Sequence, residues 1–307
     1  MLDLLATGYP SLDYICQVSH LPRTGETARI EYPKGRYTFG GCCPNVAVGL
    51  ARLGFNSGVA LVLGDDLLGQ RYLDYLNMLK VNTHDVVVLP SSKTSESHIY
   101  VEGDGEYQNF FYGGASDQWE SVLSADILNN SKTALITAGP IDWNRQFVRL
   151  ARQNGTRVVW QLKPDVYSYP PDYLRELVRQ TSMLFVNRIE LDYLSSALNT
   201  ASPGSFLSDP MGVVIVTLGS IGSRVYHGNK IEDIPVVEPL RLVDVTGAGD
   251  GFTTGFLAGW LQNRSLDVCA RMGAVVSSFV LETVGCQENL PDWKKMESRY
   301  QKNFGAL

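Results

Sequence analysis

The sequence lacks any apolar run approaching the roughly 20 residues that cross a bilayer. Its first residues, MLDLLATGYPSLDYI, carry an acid at position 3 and no basic residue, so we expect no signal peptide. Basic residues are not in excess, because 26 Lys and Arg stand against 32 Asp and Glu. The net charge of -6 excludes a general attraction to nucleic acid or to an anionic membrane. We predict a soluble protein with small-molecule partners.

Cysteine is scarce as well. There are five, an odd number, and Cys42 and Cys43 are adjacent, which makes a poor disulfide framework. No CxxC or His-rich spacing indicates a zinc site. Reduced thiols are expected, and they favour a cytoplasmic location. Two common phosphate motifs are also missing: no GxxxxGK[ST] occurs, and GAGDG does not match GxGxxG. A Rossmann dehydrogenase is therefore kept only as a third alternative.

The 307 residues show short apolar runs alternating with helix-length segments, which predicts one α/β domain. Apolar residues three and four apart predict helices over 69–79, 142–152 and 171–180. Several apolar runs stop at a glycine or a polar residue and are predicted strands, over 2–7, 59–63, 134–138, 157–162, 183–186 and 213–218. This order predicts a mostly parallel sheet with helices on both faces and chemistry beyond the carboxyl ends of its strands.

Two segments break this rhythm. Residues 28–39 and 97–112 alternate polar with apolar or aromatic residues, and the second contains Asp104-Gly105, a favoured hairpin turn. Both are predicted to be antiparallel strands with one wet face. We interpret them as a small sheet that projects from the main domain as a lid. The alternative is a hairpin that caps an edge of the main sheet.

The strongest local signal is residues 242–260, LVDVTGAGDGFTTGFLAGW. Phe252, Phe256 and Trp260 recur every four residues and predict one face of a helix. The small residues Gly255, Ala258 and Gly259 would let that helix pack closely against a neighbour. A tight turn of small residues therefore opens a buried helix.

That turn has the properties of an anion site. The start of a helix has unpaired N–H groups and the positive end of the helix dipole. Gly247, Ala248 and Gly249 leave room for an anion, so we predict an anion hole for a phosphoryl group in transfer. Asp250 beside it is predicted to be a general base that accepts the proton of an attacking hydroxyl. The alternative is that Asp250 caps the helix.

Residues 243–255, VDVTGAGDGFTTG, resemble the C-terminal signature of the ribokinase family, also called the PfkB carbohydrate kinases. Residues 40–54, GGCCPNVAVGLARLG, are similar to its N-terminal signature, in which two glycines precede an Asn and a small-residue helix. The resemblance covers essentially the whole chain. It implies a ribokinase-like three-layer α/β/α sandwich with a mostly parallel central sheet and a small β-sheet lid. It also implies ATP as the phosphate donor and Mg²⁺ as the usual metal.

The resemblance assigns roles by position. Asp250 matches the catalytic base, and the anion hole matches Gly247, Ala248 and Gly249. Acceptor-binding positions match Asp13, Gly41 and Asn45. Nucleotide-binding positions match Asn187, Thr217, Gly219, Gly222 and Thr246. Glu190 matches an acid that holds Mg²⁺ through water or phosphate, and Asp244 is compatible with a monovalent cation such as K⁺.

Three of these residues have open alternatives. Asp13 is alternatively a turn or capping residue. Asn45 is alternatively the cap of the helix that follows it. Glu190 is alternatively a solvated acid in the first turn of a helix.

Two positions depart from the family pattern. A Lys often follows the glycine pair in relatives, and here Cys42 removes that cation. The change favours a neutral polyol, sugar or nucleoside over a phosphosugar. Where many relatives have an acid and then Asn and Arg, this chain has Gln161, Lys163 and Pro164. Lys163 is predicted to contact the acceptor or the transferring phosphate, with a surface lysine as the alternative.

We therefore predict an ATP-dependent kinase that phosphorylates a hydroxyl of a small sugar-like molecule. The aromatic-rich lid should exclude water from the reaction. Several relatives pair their lids, so a homodimer through the lid is expected. One alternative is a nucleoside kinase of the same fold, because lid aromatics can stack on a nucleobase. A non-catalytic sugar-binding regulator is the other, and it would have no need of the base.

Overall fold

The computed structural model describes residues 1–33, 37–103, 106–163, 169–200, 202–208 and 210–307. Its helices are α1 (Cys42–Arg52), α2 (Leu67–Met78), α3 (Ile141–Gln153), α4 (Pro171–Gln180), α5 (Arg188–Leu198), α6 (Ala248–Leu261), α7 (Leu266–Val280) and α8 (Trp293–Phe304). Its strands are β1 (Leu4–Thr7), β2 (Ser11–Val18), β3 (Ile30–Pro33), β4 (Thr38–Gly40), β5 (Ser57–Gly64), β6 (Asn82–Leu89), β7 (Glu96–Val101), β8 (Tyr107–Tyr112), β9 (Thr133–Ile136), β10 (Arg157–Gln161), β11 (Met183–Asn187), β12 (Val213–Thr217), β13 (Ser223–His227) and β14 (Lys230–Ile234).

The main sheet contains nine of the described strands, in the order β14-β13-β12-β11-β10-β9-β1-β5-β6. All neighbours are parallel except at β12–β13 and β13–β14. Each of the six predicted apolar runs contributes a strand to this sheet, so the mostly parallel α/β prediction is confirmed. The pattern missed the two edge strands, β6 and β14, and β13, which lies next to β14. These three strands are less completely buried than the central strands.

Alternate residues of the central strands enter two separate cores, as the period of two along a strand requires. In β5, Leu61 belongs to the core beneath α1, α2, α6, α7 and α8, together with Phe256. Its neighbour Val62 belongs to the core beneath α3, α4 and α5, together with Trp143. Helices cover both faces of the sheet, and the ribokinase-like three-layer prediction is confirmed.

A separate small sheet has five described strands, in the order β3-β2-β7-β8 with β4 also paired to β2. The predicted lid segment 28–39 contains β3 and most of β4, and segment 97–112 contains β8 and most of β7. The predicted turn at Asp104-Gly105 lies outside the described residues. The sequence pattern missed β2, the central strand, because burial on both faces removes the polar alternation of a wet strand.

Helices α6 and α7 pack closely because glycines remove side chains between them. A Cβ at Gly255 would lie 2.3 Å from the carbonyl oxygen of Met272. At Gly259 it would lie 2.9 Å from the Met272 sulfur. This contact fixes the start of α6 at the carboxyl edge of the main sheet. Within the described residues, no helix combines the length and apolar character needed to cross a membrane.

Candidate active site

A cleft lies where strands of the main sheet end. Gln161, Asn187 and Thr217 are the last residues of β10, β11 and β12, and all three line this cleft. The carboxyl ends of parallel strands are the usual place for a ligand in such sheets. The predicted site residues that line the cleft are Lys163, Asn187, Glu190, Thr217, Thr246, Gly247, Ala248, Gly249 and Asp250.

The start of α6 forms one wall of the cleft. Gly247 is the residue before the helix and has a φ of 78°, in the left-handed region that favours glycine. A Cβ there would lie 2.3 Å from the Cβ of Cys286, so a larger residue would not fit. No side chain caps the helix, and the alternative of Asp250 as a cap is therefore wrong. The first amides of α6 have no partner within the helix, and such a helix start is a usual place for an anion, although the amide of Ala248 donates to the carbonyl of Val245 at 3.3 Å.

The carboxylate of Asp250 is buried, with 6% of the residue exposed. Nδ2 of Asn45 donates a hydrogen bond to its Oδ2 at 2.6 Å. Nε2 of Gln161 donates to its Oδ1 at 2.5 Å. Asn45 lies in the first turn of α1, whose cap position is Gly41, so the alternative of Asn45 as a helix cap is wrong. The N-terminal and C-terminal signatures therefore meet at one carboxylate.

A second layer of polar contacts holds Asn45. Nε2 of Gln287 donates to Oδ1 of Asn45 at 2.7 Å and lies 3.4 Å from the hydroxyl of Tyr72. That hydroxyl donates to the carbonyl of Gly40 at 2.5 Å. The sequence reasoning missed Gln161, Gln287 and Tyr72 as site residues. A local pattern carries no signal for them, because their partners are distant in the chain.

Asp13 lies inside β2 and is buried, so the alternative of a turn or capping residue is wrong. Its Oδ1 accepts a hydrogen bond from the Ser11 hydroxyl at 2.5 Å. A Cβ at Gly40 would lie 1.9 Å from the Asp13 Oδ2, and this close approach explains the glycine. Burial raises the pKa of Asp13 to about 6, and the negative charge of Asp250 contributes to the rise.

Asn187 and Glu190 form a reciprocal capping box at the start of α5. The Glu190 amide donates to Oδ1 of Asn187 at 2.8 Å, and the Asn187 amide donates to Oε2 of Glu190 at 2.7 Å. The alternative for Glu190 is a solvated acid in the first turn of a helix. Glu190 does lie in the first turn and caps the helix, but it is buried, so it is not solvated. Burial raises the pKa of Glu190 to about 7. The capping box places a carboxylate at the cleft.

Lys163 and Cys42 also line the cleft. Although much of Lys163 is exposed, loss of solvent around its ammonium acts to lower the pKa. The neighbouring Cys42, Tyr107, Asp250 and Glu190 outweigh this effect and raise that pKa. Lys163 therefore stays charged. Burial raises the pKa of the Cys42 thiol far above its ordinary value, so this thiol stays neutral. Pro164, which follows Lys163, lies outside the described residues.

Six predicted site residues do not line the cleft: Asp13, Gly41, Asn45, Gly219, Gly222 and Asp244. Gly41 has a φ of 93°, and a Cβ there would lie 2.4 Å from the carbonyl oxygen of Tyr9. Gly219 and Gly222 form the turn directly after β12. The carboxylate of Asp244 accepts hydrogen bonds from the amides of Thr246 at 2.9 Å and Gly285 at 3.0 Å. It thereby joins the loop before α6 to the loop after α7.

Comparison with protein families and known proteins gives one consistent match. The family model described as pfkB family carbohydrate kinase matches residues 1–293. A nucleoside kinase of Methanocaldococcus jannaschii is 30% identical over 303 residues, which cover 99% of this chain and 98% of that protein. A ribokinase of Arabidopsis thaliana is 26% identical and is matched over 95% of this chain and 79% of its own length.

Solved structures agree with these matches. The crystal structure of the M. jannaschii nucleoside kinase superposes with a TM-score of 0.86, covering 98% of this chain and 99% of the other at 30% identity. A Burkholderia thailandensis nucleoside kinase in complex with inosine gives 0.90, with the same coverage at 24% identity. A Cryptococcus neoformans ribokinase in complex with ADP gives 0.87, with 97% and 99% covered at 23% identity.

The raised pKa of Asp13 leads to a direct measurement. We expect its carboxyl group to titrate with a midpoint near pH 6, well above the ordinary aspartate value of about 3.9. The group is then largely ionised at pH 7 and gains a proton as the pH falls through about 6. A ¹³C NMR titration measures this midpoint, and the Asp13→Asn variant assigns the signal. A midpoint near 4 would show that burial does not control this carboxyl group.

Proposed function

Because this chain belongs to the pfkB family of carbohydrate kinases, and so phosphorylates a hydroxyl of a small sugar-like molecule, we propose that its acceptor is the sugar of a nucleoside. The nucleoside kinase of M. jannaschii is 30% identical over nearly the whole of both chains, which supports this choice. The neutral thiol of Cys42 at the cleft also disfavours an acceptor that already carries a phosphate. A free neutral sugar is the second candidate, supported by the similarity to ribokinases.

The observation that carries the proposed mechanism is the position of Asp250 beside the first amides of α6. Asp250 accepts the proton of the attacking hydroxyl, whose oxygen forms the new bond to the γ-phosphorus of ATP. The bond between that phosphorus and the β-γ bridging oxygen breaks, and ADP leaves with the electron pair. The amides of residues 247–249 stabilise the charge on the phosphoryl oxygens in transfer. Catalysis is mainly positioning and electrostatics.

The acceptor lies between Asp13 and Asp250, beneath the small sheet. The ionised carboxylate of Asp13 accepts hydrogen bonds from sugar hydroxyls, and Ser11 holds that carboxylate in place. Tyr107 and Asn109 of β8 line the same cleft from the lid side. An aromatic ring there offers a stacking surface for a nucleobase. Lid closure over this region excludes water, which competes with the acceptor for the phosphoryl group.

The residues present fit Mg²⁺ bound mainly through the nucleotide. Among the described residues, no group of three His, Cys, Asp or Glu side chains is placed to hold a metal. Mg²⁺ keeps several waters and is often bound through one carboxylate plus substrate phosphates. Glu190 is the carboxylate in the correct place, with Asn187 beside it. Bound Mg²⁺ would neutralise charge on the phosphates, and Lys163 adds a positive charge from the protein.

The nucleotide is proposed to extend from the start of α6 along Thr217 and the turn that contains Gly219 and Gly222. Thr217 and Thr246 both line the cleft. A K⁺ site beside Asp244 remains a prediction. Both oxygens of that carboxylate already accept backbone hydrogen bonds, so K⁺ would share these oxygens with the two amides. Activity with K⁺ replaced by a large organic cation is the direct measurement.

The outer face of the small sheet is proposed to pair with a second copy of the chain. Side chains on β7 and β8 alternate between the cleft and the outside, and the outer set includes His98, Phe110 and Tyr112. Phe110 is 60% exposed and Tyr112 is 46% exposed. Exposed aromatic residues in a contiguous group are typical of an interface.

Replacement of Asp250 by Asn tests the catalytic base. We expect turnover to fall by about a hundredfold or more, because the amide accepts no proton. ADP binding, measured by calorimetry, should change by less than about threefold, since this side chain is not needed for nucleotide contacts. Asp192→Asn, at an exposed position of α5, is the matched control. Turnover close to that of the unmodified protein would exclude Asp250 as the base.

A panel of nucleosides, ribose, other neutral sugars and polyols, assayed for ADP release with ATP, tests the acceptor. We expect kcat/KM for the best nucleoside to exceed that for ribose by about a hundredfold, because a stacked base adds binding energy in the transition state. Preference for a free sugar would favour the second candidate. Binding of ligands without ADP release from any compound would indicate the non-catalytic regulator.

Replacement of Phe110 by Lys tests the lid dimer. We expect the unmodified protein to sediment as a dimer at micromolar concentration and the Phe110→Lys variant as a monomer, because a buried unpaired charge opposes association. Ile231→Lys changes an equally exposed apolar residue on β14 and should leave the dimer intact. Sedimentation equilibrium measures both. A monomeric unmodified protein would contradict the proposal.

A further inference from the structure

Gln161 occupies a special position in the cleft. It is the last residue of β10, only 8% of it is exposed, and it lines the cleft beside Asp250. Its Nε2 donates to Oδ1 of Asp250 at 2.5 Å, while Asn45 donates to the other oxygen at 2.6 Å. Each carboxylate oxygen is thus held by one amide, and the side chain of Asp250 has little freedom to rotate.

The other atom of the Gln161 amide has no partner. Among the described residues, no group donates a hydrogen bond to its Oε1, although that oxygen is buried. Buried carbonyl oxygens in proteins are normally paired, and the exceptions call for an explanation. Since Nε2 is committed to Asp250, the amide cannot turn over without losing that hydrogen bond. A donor for Oε1 is therefore expected from a molecule that enters the cleft.

The chemistry of the cleft narrows the choice of donor. Phosphate oxygens accept hydrogen bonds and would be repelled by a carbonyl oxygen, so the γ-phosphate that faces Asp250 in the proposed mechanism is not the partner. The acceptor must approach Asp250 closely to deliver its proton, which brings its other polar groups near Oε1. A hydroxyl is the donor that a sugar-like acceptor supplies. The hydroxyl under attack gives its proton to Asp250, so a second one is required.

We propose that Gln161 is a specificity-determining residue whose Nε2 positions Asp250 and whose Oε1 accepts a hydrogen bond from a second hydroxyl of the acceptor. This inference rests on the proposed kinase function and adds the requirement that the acceptor carry a second hydroxyl. Molecules with a single hydroxyl group are bound without this contact and are poor acceptors. A polyhydroxylated acceptor pairs the buried carbonyl and places its reacting oxygen against a carboxylate of fixed orientation.

Two replacements separate the roles of the amide. Gln161→Met removes both polar atoms at nearly constant length. Gln161→Glu keeps an oxygen acceptor but removes the donor to Asp250 and places a second carboxyl group beside it. Gln153→Met, at an exposed position of α3, is the matched control. Circular dichroism and thermal unfolding of each variant establish that it folds. If Gln161→Met does not fold, the inference is tested with Gln161→Glu.

The central measurement combines Gln161→Met with monodeoxy analogues of the acceptor that the panel identifies. We expect Gln161→Met to raise KM for the acceptor about 5- to 20-fold, as loss of a hydrogen bond to a buried carbonyl implies, with KM for ATP nearly unchanged. One monodeoxy analogue should be a similarly poor substrate of the unmodified protein. That analogue should show no further loss with Gln161→Met, because the hydroxyl and the carbonyl form one contact.

The pH profile of Gln161→Glu tests the positioning role. Two neighbouring carboxyl groups resist joint ionisation, so the acidic limb of kcat/KM should move to higher pH by about one unit or more. The other titratable groups that face Asp250 are unchanged between the two proteins: Asp13, Cys42, Cys43, Lys163, Glu190 and Cys286. A shift is therefore attributable to residue 161.

Three results would overturn the inference while leaving the kinase function intact. They are an unchanged KM for the acceptor in Gln161→Met, additive losses for every monodeoxy analogue, and an unmoved acidic limb in Gln161→Glu. The first two together would mean that no acceptor hydroxyl pairs with Oε1. Failure of the unmodified protein to phosphorylate any acceptor would instead overturn the proposed function together with this inference.

Discussion

Two amide hydrogen bonds to the carboxylate of Asp250 hold the active site together. They come from Asn45 on α1 and from Gln161 at the end of β10, while Asp250 itself lies on α6. A buried carboxylate is tolerated only if its oxygens are hydrogen-bonded, and bonds to a charged group are stronger than neutral ones. The positions of three elements are therefore coupled to one charge. Gln287 extends this network by holding the carbonyl of Asn45.

The cleft concentrates negative charge before any ligand binds. Burial, with a smaller contribution from the negative charge of Asp250, raises the pKa of Asp13 to about 6 and that of Glu190 to about 7. Lys163 is the nearby cation that these acids keep charged. Such a site suits phosphates that arrive with their own metal ion, because a bare polyanion would meet carboxylates at the same place. In the proposed mechanism, the amides at the start of α6 stabilise the phosphoryl group without adding charge.

The small sheet presents different side chains on its two faces. Successive side chains point to opposite faces, so Asp13, Ser97 and Ile99 lie on the cleft side while Tyr14 and His98 stack on the other side. The proposed acceptor contacts and the exposed aromatic surface thus belong to the same strands. Association through the outer face would stiffen the strands that hold the acceptor, which links the proposed dimer to the proposed function.

The sequence alone determined the features that form within short stretches of the chain. Buried strands of the main sheet follow from local apolar runs, and helices α2, α3, α4 and α6 follow from local periodicity. The turn before α6 follows from consecutive small residues with Asp250 behind them. Tertiary structure alone decided which amides meet that carboxylate, because Asn45 and Gln161 are 205 and 89 residues away from it. The same holds for Gln287, 242 residues from Asn45. Local patterns record how a segment folds, whereas contacts between distant side chains exist only once the layers have packed.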